Sequence, residues 1–260
     1  MKETFEITNR YGLKIVGDIY FPENPIGVGV ILHGLGSTKD KKHIQVVSDS
    51  LVKNNYISIC FDATNSIGLS GGKYEDATME KHYQDLEDVL VWSKKQDFYK
   101  GKLILSGSSL GGYAVLRYAE EYPHEVNGVF ATAPAISGEM SFESYQKYDF
   151  EHFKAWEETG WDIRESSSVP GLIKKLPWSH MLERLQHNLL IKVKKLTMPI
   201  SIIVGDSDVL CPKEHQKILF DLIPTNKKEL HIIKDAPHTF REENHLKQLE
   251  GIFDSWLKTI

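Results

Sequence analysis

The chain has 260 residues, of which 41% are hydrophobic, and it carries a formal net charge of −5 at pH 7. A chain of this length can bury a large core within one domain, and its hydrophobic fraction is ordinary for a globular protein. The negative charge gives no electrostatic attraction to nucleic acids or to anionic membranes, so we expect neither as a partner.

The first predicted elements in chain order are strands. Alternating apolar residues predict a hairpin formed by residues 4–9 and 14–21 around Tyr11-Gly12. Short apolar runs then alternate with segments of helical periodicity, and helices are predicted near residues 42–53, 79–95, 110–121, 213–222 and 242–257. This alternation predicts an α/β protein with a mostly parallel central sheet that helices cover on both faces.

The alternation stops between residues 138 and 196, directly after the strand pattern that ends near Ala135. We therefore divide the chain into a core, residues 1–137 and 197–260, and an insertion, residues 138–196, which we interpret as a cap. Most of its aromatic residues are predicted to form a small core, and a minority to face a substrate pocket. They are Phe142, Tyr145, Tyr148, Phe150, Phe153, Trp156, Trp161 and Trp178.

Ser109 is the candidate nucleophile. It lies at the centre of Gly107-Ser108-Ser109-Leu110-Gly111, between the apolar run 103–105 and a helical segment that begins at residue 110. A G-x-S-x-G motif in this context marks a sharp turn from strand to helix, where larger residues two positions away from the serine would collide. A serine hydroxyl needs a base that takes its proton and an acid that orients the base.

Two later apolar runs end in residues that suit these roles. The run 200–205 leads into Asp206-Ser207-Asp208, and the run 230–233 leads into a loop that contains His238. The order Ser, then Asp or Glu, then His is typical of this kind of fold. We predict Asp208 as the acid and His238 as the base. Asp206 is the competing acid, with an alternative role as a turn carboxylate that accepts backbone hydrogen bonds.

The order of these motifs resembles that of the α/β-hydrolase superfamily over nearly the whole chain. The segment 205–212 is similar to the acid loop in which the second aspartate is the triad acid, and Ala236-Pro237-His238-Thr239-Phe240 is similar to the histidine loop. The resemblance is to the branch of serine aminopeptidase-like hydrolases, feruloyl (cinnamoyl) esterases and monoglyceride lipases. It implies the α/β-hydrolase fold, with a cap in the insertion that selects the substrate.

The segment His33-Gly34-Leu35-Gly36-Ser37 is similar to the H-G-x-x loop of the same superfamily. The resemblance implies that the backbone amides of Leu35 and Leu110 form an oxyanion hole, whose preorganised donors stabilise the charge that develops in acyl transfer. It also implies that His33 is a buried structural residue rather than a second base.

The loop after the strand 57–62 departs from the commoner pattern of the superfamily. Asn65 stands where an arginine or asparagine is usual, with one extra residue between it and Asp62. Asparagine at this point is similar to the feruloyl esterase branch. Gly68, Ser70, Gly71 and Gly72 are typical of a tight surface loop.

No sequence pattern indicates a metal or a cofactor. H-E-x-x-H and C-x-x-C spacings are absent from the sequence, and its two cysteines, Cys60 and Cys211, are far apart. We therefore predict hydrolysis without a cofactor. His43, His82, His124 and His245 lie in polar stretches and are predicted to be solvated, as are the lysines of residues 39–42.

These features predict a serine hydrolase that cleaves small-molecule esters with short, medium or aromatic acyl groups through an acyl-enzyme intermediate. A thioesterase or a peptidase would use the same three residues, and a non-catalytic ligand-binding protein on this scaffold is the alternative from another class. The N-terminal residues show no apolar signal core, so we expect a cytoplasmic location. The oligomeric state stays open.

Overall fold

A computed structural model of the chain describes residues 1–166 and 169–260. We number its strands and helices in chain order. The strands are β1 (Lys2–Thr8), β2 (Lys14–Tyr20), β3 (Gly27–Leu32), β4 (Tyr56–Asp62), β5 (Leu103–Ser108), β6 (Gly128–Thr132), β7 (Trp161–Glu165), β8 (Ile173–Pro177), β9 (Ile200–Gly205) and β10 (Lys228–Ile233). The helices are α1 (Lys42–Lys53), α2 (Met79–Ser93), α3 (Leu110–Glu121), α4 (Gly138–Tyr148), α5 (Phe150–Thr159), α6 (Trp178–Arg184), α7 (Lys213–Leu222) and α8 (Glu243–Leu257).

Eight of the strands form one sheet in the order β1-β2-β4-β3-β5-β6-β9-β10. The predicted hairpin of β1 and β2 is antiparallel and pairs antiparallel with β4, and every other neighbouring pair in this sheet is parallel. Every residue of β3, β5, β6 and β9 is buried, which is why these strands are continuous apolar or small runs rather than alternating ones. The predicted mostly parallel sheet is confirmed.

Helices cover both faces of this sheet. Apolar residues of α1 and α8, including Leu51, Phe253 and Trp256, pack on one face, while residues of α2, α3 and α7, including Leu86 and Leu116, pack on the other. The five predicted helices begin and end within two residues of the expected positions. Thr78 fixes the start of α2, because its hydroxyl accepts a hydrogen bond from the Lys81 amide at 3.0 Å.

Residues 138–196 lie between β6 and β9 and contain α4, α5, the antiparallel hairpin of β7 and β8, and α6. Their buried apolar residues, including Phe153, Trp156 and Met181, form a small cluster that is shared with Ala77 of the preceding core. Tyr148, Phe150 and Trp161 are instead exposed on the surface.

This segment is tied to the core through α6. The carboxylate of Glu183 accepts hydrogen bonds from the amides of Met79 and Glu80, both at 3.0 Å. These amides lie in the first turn of α2, where the free N–H groups and the helix dipole favour a negative charge. The Glu183 carboxylate also bonds to His187 Nε2 at 2.7 Å.

The functional candidates meet at one edge of the sheet. Ser109 follows β5, the loop with Leu35 follows β3, Asp208 follows β9 and His238 follows β10. In open α/β sheets, ligands bind in the crevice at the carboxyl ends of the parallel strands. Within the described part of the chain, no helix is both long enough and apolar enough to cross a membrane.

Candidate active site

Ser109 occupies a strained turn between β5 and α3, with φ of 56° and ψ of −114°. Few non-glycine residues adopt a positive φ, and holding one there costs about 1–3 kcal/mol. The neighbouring backbone leaves no room for side chains, since a Cβ on Gly107 would lie 2.2 Å from the Gly111 carbonyl oxygen. A Cβ on Gly111 would lie 2.1 Å from the Leu32 carbonyl oxygen. The glycines of the motif are therefore required by close backbone packing.

The structure brings Ser109, His238 and Asp208 together. Nε2 of His238 lies 3.0 Å from Oγ of Ser109, and its Nδ1 lies 2.7 Å from Oδ2 of Asp208. Asp208 is itself held in place, because its Oδ1 accepts hydrogen bonds from the amides of Leu210 and Cys211 at 2.9 and 2.8 Å. The carboxylate is buried and the imidazole is half-buried. This arrangement can carry a proton from the serine hydroxyl to the imidazole.

Asp206, the competing acid, lies elsewhere in the loop. Its Oδ1 accepts a hydrogen bond from the Asp235 amide at 2.7 Å, and no hydrogen bond or ion pair joins its carboxylate to the His238 ring among the described residues. Asp206 therefore links the loop after β9 to the loop after β10. This is the turn role that the sequence left as the alternative.

The loop after β3 passes directly beside the nucleophile. A Cβ on Gly34, the residue before Leu35, would lie 3.0 Å from the Ser109 Cβ and 3.6 Å from its Oγ. Among the described residues, the Leu35 amide bonds to no acceptor. Leu110 is the first residue of α3, where an amide has no acceptor within its own helix. Both amides are free to donate to an oxyanion.

His33 lies under this loop and is fully buried. Its Nδ1 lies 2.8 Å from the Gly34 carbonyl oxygen, and its Nε2 accepts a hydrogen bond from the Ala63 amide at 3.0 Å. Burial lowers the pKa of His33 and favours the neutral ring. Because both ring nitrogens are bound to backbone, His33 supports the loop rather than acting as a base.

The loop after β4 is held by Asp62. Its carboxylate accepts hydrogen bonds from the amides of Lys39 and Leu69 at 2.7 and 2.8 Å. A Cβ on Gly68 would lie 2.2 Å from the Asp62 Cγ, so this position requires glycine. The side chain of Asn65 accepts a hydrogen bond from the Lys73 amide at 3.2 Å. These residues build the loop and connect it to the segment after β3.

A cavity of about 680 Å³ opens above Ser109. Residues from both the core and the segment 138–196 line it, and the sequence analysis identified few of them. Charged and polar residues in its lining that the sequence analysis did not predict are Lys41, Lys42, His43, Tyr74, Asp162, Arg164, Glu165, Lys174, Arg184 and Arg241. Of the predicted aromatic residues, Tyr145 faces this cavity.

Several solvation predictions were wrong. His43, His82 and His245 are buried, because each lies on the face of its helix that packs on the sheet. Lys39 is also buried, and its Nζ lies 2.9 Å from a carboxylate oxygen of Asp18 in β2. These burials could not be predicted from the neighbouring residues, because each of the three histidines has a polar residue on one side and an apolar or aromatic residue on the other. Burial lowers the pKa of both His43 and His82 to about 3.

The chemistry of the described residues gives no sign of a metal centre. No group of three or more His, Cys, Asp or Glu side chains in residues 1–166 and 169–260 is arranged to hold a metal ion. Both cysteines are buried free thiols.

A strained serine at the carboxyl edge of a mostly parallel eight-stranded sheet, with an aligned histidine, defines an α/β-hydrolase of the serine-hydrolase type. The fold superposes on Est1E from Butyrivibrio proteoclasticus with bound ferulic acid at a TM-score of 0.80, with 21% identity and 98% of both chains covered. Within this class, residues 23–159 match the family described as serine aminopeptidase, S33, and the chain belongs to that family.

Two relatives match the sequence over more than two thirds of the chain. The mouse palmitoyl-protein thioesterase ABHD10, mitochondrial, is 27% identical over 180 residues, which are 69% of this chain and 58% of that protein. The chain thus spans less than two thirds of the length of this relative. The thermostable monoacylglycerol lipase of Bacillus sp. strain H-257 is 22% identical over 240 residues, covering 89% of this chain and 90% of the lipase.

Proposed function

We propose that the protein is a serine hydrolase that cleaves carboxylic esters through an acyl-enzyme intermediate. Ser109 is the nucleophile, His238 the general base and Asp208 the acid that orients it. The observation that carries the proposal is the continuous series of hydrogen bonds from Ser109 Oγ through the imidazole to the buried carboxylate, at 3.0 and 2.7 Å. Every role in this reaction falls to a side chain or a backbone amide, so it needs no cofactor.

In the first step, Ser109 Oγ attacks the ester carbonyl carbon while its proton moves to Nε2 of His238. Nδ1–H of the ring donates to Asp208, which keeps Nε2 available as the acceptor. The carbonyl oxygen becomes an oxyanion, to which the amides of Leu35 and Leu110 donate. The tetrahedral intermediate then expels the alcohol, which takes the proton from Nε2, and Ser109 remains acylated.

In the second step, His238 takes a proton from water, whose oxygen attacks the acyl carbon. A second tetrahedral intermediate forms on the same two amides. Its collapse breaks the bond to Ser109 Oγ, which recovers its proton from Nε2, and releases the carboxylic acid. The products are one acid and one alcohol, and the enzyme returns to its starting state.

Short or medium acyl esters and aromatic acyl esters are the proposed substrates. The ferulic acid bound to Est1E and the name of the Bacillus lipase support esters as the class. A cavity of about 680 Å³ lies within the range of small-molecule sites. We also infer that residues 138–196 act as the cap that selects the substrate, because they contribute Tyr145, Lys174 and Arg184 to its lining.

Thioester hydrolysis is the second candidate. It is favoured by the mouse relative, whose name describes a palmitoyl-protein thioesterase. The same serine, histidine and oxyanion amides serve both reactions, so only the lining of the cavity separates them. We still propose a small-molecule ester as the substrate. We also propose a cytoplasmic location and expect no nucleic-acid or membrane partner.

The direct test is labelling with a fluorophosphonate followed by peptide mass spectrometry, together with hydrolysis of p-nitrophenyl esters from acetate to palmitate and of their thioester counterparts. We expect the adduct on Ser109 and turnover that depends on chain length. Ser108→Ala is the matched control, since it removes the neighbouring hydroxyl of the same turn and should still be labelled. A folded protein with neither adduct nor turnover would favour a non-catalytic binding protein.

A further inference from the structure

Arg184, the last residue of α6, is a buried cation without a counter-charge. The residue is 8% exposed, and it lines the same cavity as Ser109. Its Nε is buried without a hydrogen-bond partner, and no carboxylate of the described residues lies within 4.0 Å of its guanidinium. Burying an unpaired charge is costly, so such a group is normally matched by a partner of opposite charge.

Two carboxylates that neighbour Arg184 in the chain or share its cavity are already engaged. Its neighbour in the chain, Glu183, binds the first amides of α2 and His187. Asp162, which also lines the cavity, lies 2.7 Å from Nε of Arg164 and 2.6 Å from Nε2 of His152. Neither carboxylate is free to neutralise Arg184, and the guanidinium therefore keeps its capacity to bind an anion.

A second cation stands beside the loop after β3. Nζ of Lys174 lies 5.6 Å from the centre of the Tyr74 ring and would be 3.3 Å from a Cβ on Gly36, the residue after Leu35. No carboxylate of the described residues lies within 4.0 Å of this ammonium. The pKa of Lys174 is lowered, mainly by burial, which is what an ammonium without a paired carboxylate shows.

The cavity as a whole is positive although the chain is negative. Six of the described residues in its lining carry cationic side chains, and two carry carboxylates. One of those carboxylates, Asp162, bonds to Arg164, which is itself one of the six cations, and to His152. The hydroxyls of Tyr74 and Tyr145 add neutral donors to the same lining. A cavity with such a local excess of positive charge attracts anions even when the net charge of the protein is −5.

We propose that Arg184 and Lys174 form an anion subsite that binds a carboxylate or phosphate carried by the substrate. This inference rests on the proposed function, because it specifies the substrate class of the same site. A guanidinium binds the two oxygens of either group with paired hydrogen bonds, which fixes the orientation of the substrate as well as adding affinity. The enzyme would therefore act on acidic esters in preference to neutral ones.

The test compares esters that differ only in charge. On the acyl side, 4-methylumbelliferyl monoesters of adipate, suberate and sebacate are compared with the same compounds in which the free carboxylate is a methyl ester. A 4-methylumbelliferyl ester of 6-phosphooxyhexanoate distinguishes phosphate from carboxylate. On the alcohol side, 4-acetoxybenzoate is compared with its methyl ester. We expect the acidic member of at least one pair to have a kcat/KM about tenfold or more above that of its neutral partner, mainly through KM.

The variants Arg184→Met, Arg184→Lys and Lys174→Met then assign the effect. We expect Arg184→Met to reduce the ratio of acidic to neutral kcat/KM by about ten- to a hundredfold, and Arg184→Lys to restore part of it. The ratio of acidic to neutral kcat/KM does not depend on the amount of active enzyme, so a partly folded variant can still be compared. If the Arg184 variants do not fold, Lys174→Met provides the same test at the second cation.

The inference is wrong if the wild-type enzyme cleaves every neutral ester at least as efficiently as its acidic partner, or if the ratio is the same in all variants. Those results would leave ester hydrolysis itself intact. Failure of the proposed function is different, because then no ester in either set is cleaved and the fluorophosphonate leaves no adduct on Ser109.

Discussion

Replacing Asp208 by asparagine separates the proposed acid from its competitor at almost constant side-chain size. In the wild-type protein, Oδ1 of Asp208 accepts two backbone hydrogen bonds and Oδ2 faces Nδ1 of His238 at 2.7 Å. The oxygen of asparagine can keep the two backbone bonds, so its NH₂ group must face the ring. That group donates to Nδ1, which places the ring proton on Nε2, where it blocks acceptance of the Ser109 proton.

The expected loss follows from this wrong tautomer. In serine triads the same change lowers kcat by about 10⁴-fold, which corresponds to roughly 5.5 kcal/mol of transition-state stabilisation. We expect kcat/KM of Asp208→Asn for p-nitrophenyl butyrate to fall by about three to four orders of magnitude. The free energy of unfolding should fall by no more than about 3 kcal/mol, because the loss is one charge-assisted hydrogen bond. Initial rates and urea titration measure the two quantities separately.

Asp206→Asn is the matched control in the same loop. Asp206 uses one oxygen to accept from the Asp235 amide at 2.7 Å, and the asparagine oxygen can accept the same bond. We expect kcat/KM to change by less than about threefold, because the backbone contact is preserved and no group that touches the substrate is removed. A larger loss in Asp206→Asn than in Asp208→Asn, or equal losses, would refute the assignment of the acid.

Three further changes test other parts of the structure. Ser109→Ala should lose several orders of magnitude in turnover with a melting temperature close to wild type, since the hydroxyl contributes little to the core; preserved turnover would exclude Ser109 as the nucleophile. Gly111→Ala should unfold more easily by at least about 1–3 kcal/mol in urea, because its Cβ would meet the Leu32 carbonyl oxygen at 2.1 Å, and wild-type stability would contradict the tight turn. The pKa values of His43 and His82 are lowered from 6.5 to about 3, so between these pH values each ring is protonated in the unfolded chain and neutral in the folded one. The free energy of unfolding should therefore fall as the pH decreases, by up to about 1.4 kcal/mol per pH unit for each histidine. His82→Gln should reduce the slope of unfolding free energy against pH between pH 6 and 4 by the contribution of one histidine. An unchanged slope would show that His82 does not contribute.

The residues at the sheet edge could be predicted because a local rule fixes their positions. Ser109 and Asp208 follow the buried strands β5 and β9, His238 follows the edge strand β10, and parallel strands bring their carboxyl ends to one edge. The preference for Asp208 over Asp206 also agrees with the hydrogen bonds, because only Asp208 contacts the imidazole. Spacing along the chain was sufficient here, since each loop is short and its strand sets its direction.

Burial of polar side chains could not be predicted in the same way. His82 lies in α2 among polar neighbours, yet its Nε2 reaches the His33 carbonyl oxygen at 2.8 Å. Lys39, in the loop after β3, pairs with Asp18, which lies in β2 and 21 positions earlier in the chain. Whether such a side chain is buried depends on which element packs against it. A single sequence does not reveal this tertiary packing.

Residues 138–196, the proposed cap, are the extreme case, because the charged residues that they contribute to the cavity share no motif. Asp162, Lys174 and Arg184 are spread over α6 and the β7–β8 hairpin, where charged residues are typical of a solvated surface. Only the folded arrangement turns them toward Ser109 and leaves Arg184 buried without a carboxylate. On the proposal made above, the motif at the sheet edge carries out the reaction and the cavity lining from residues 138–196 selects the esters. Arg184 is the one of these side chains that is buried without a carboxylate, so the ratio of acidic to neutral kcat/KM in its variants tests the selection of acidic substrates directly, which no further measurement on Ser109, His238 or Asp208 would do.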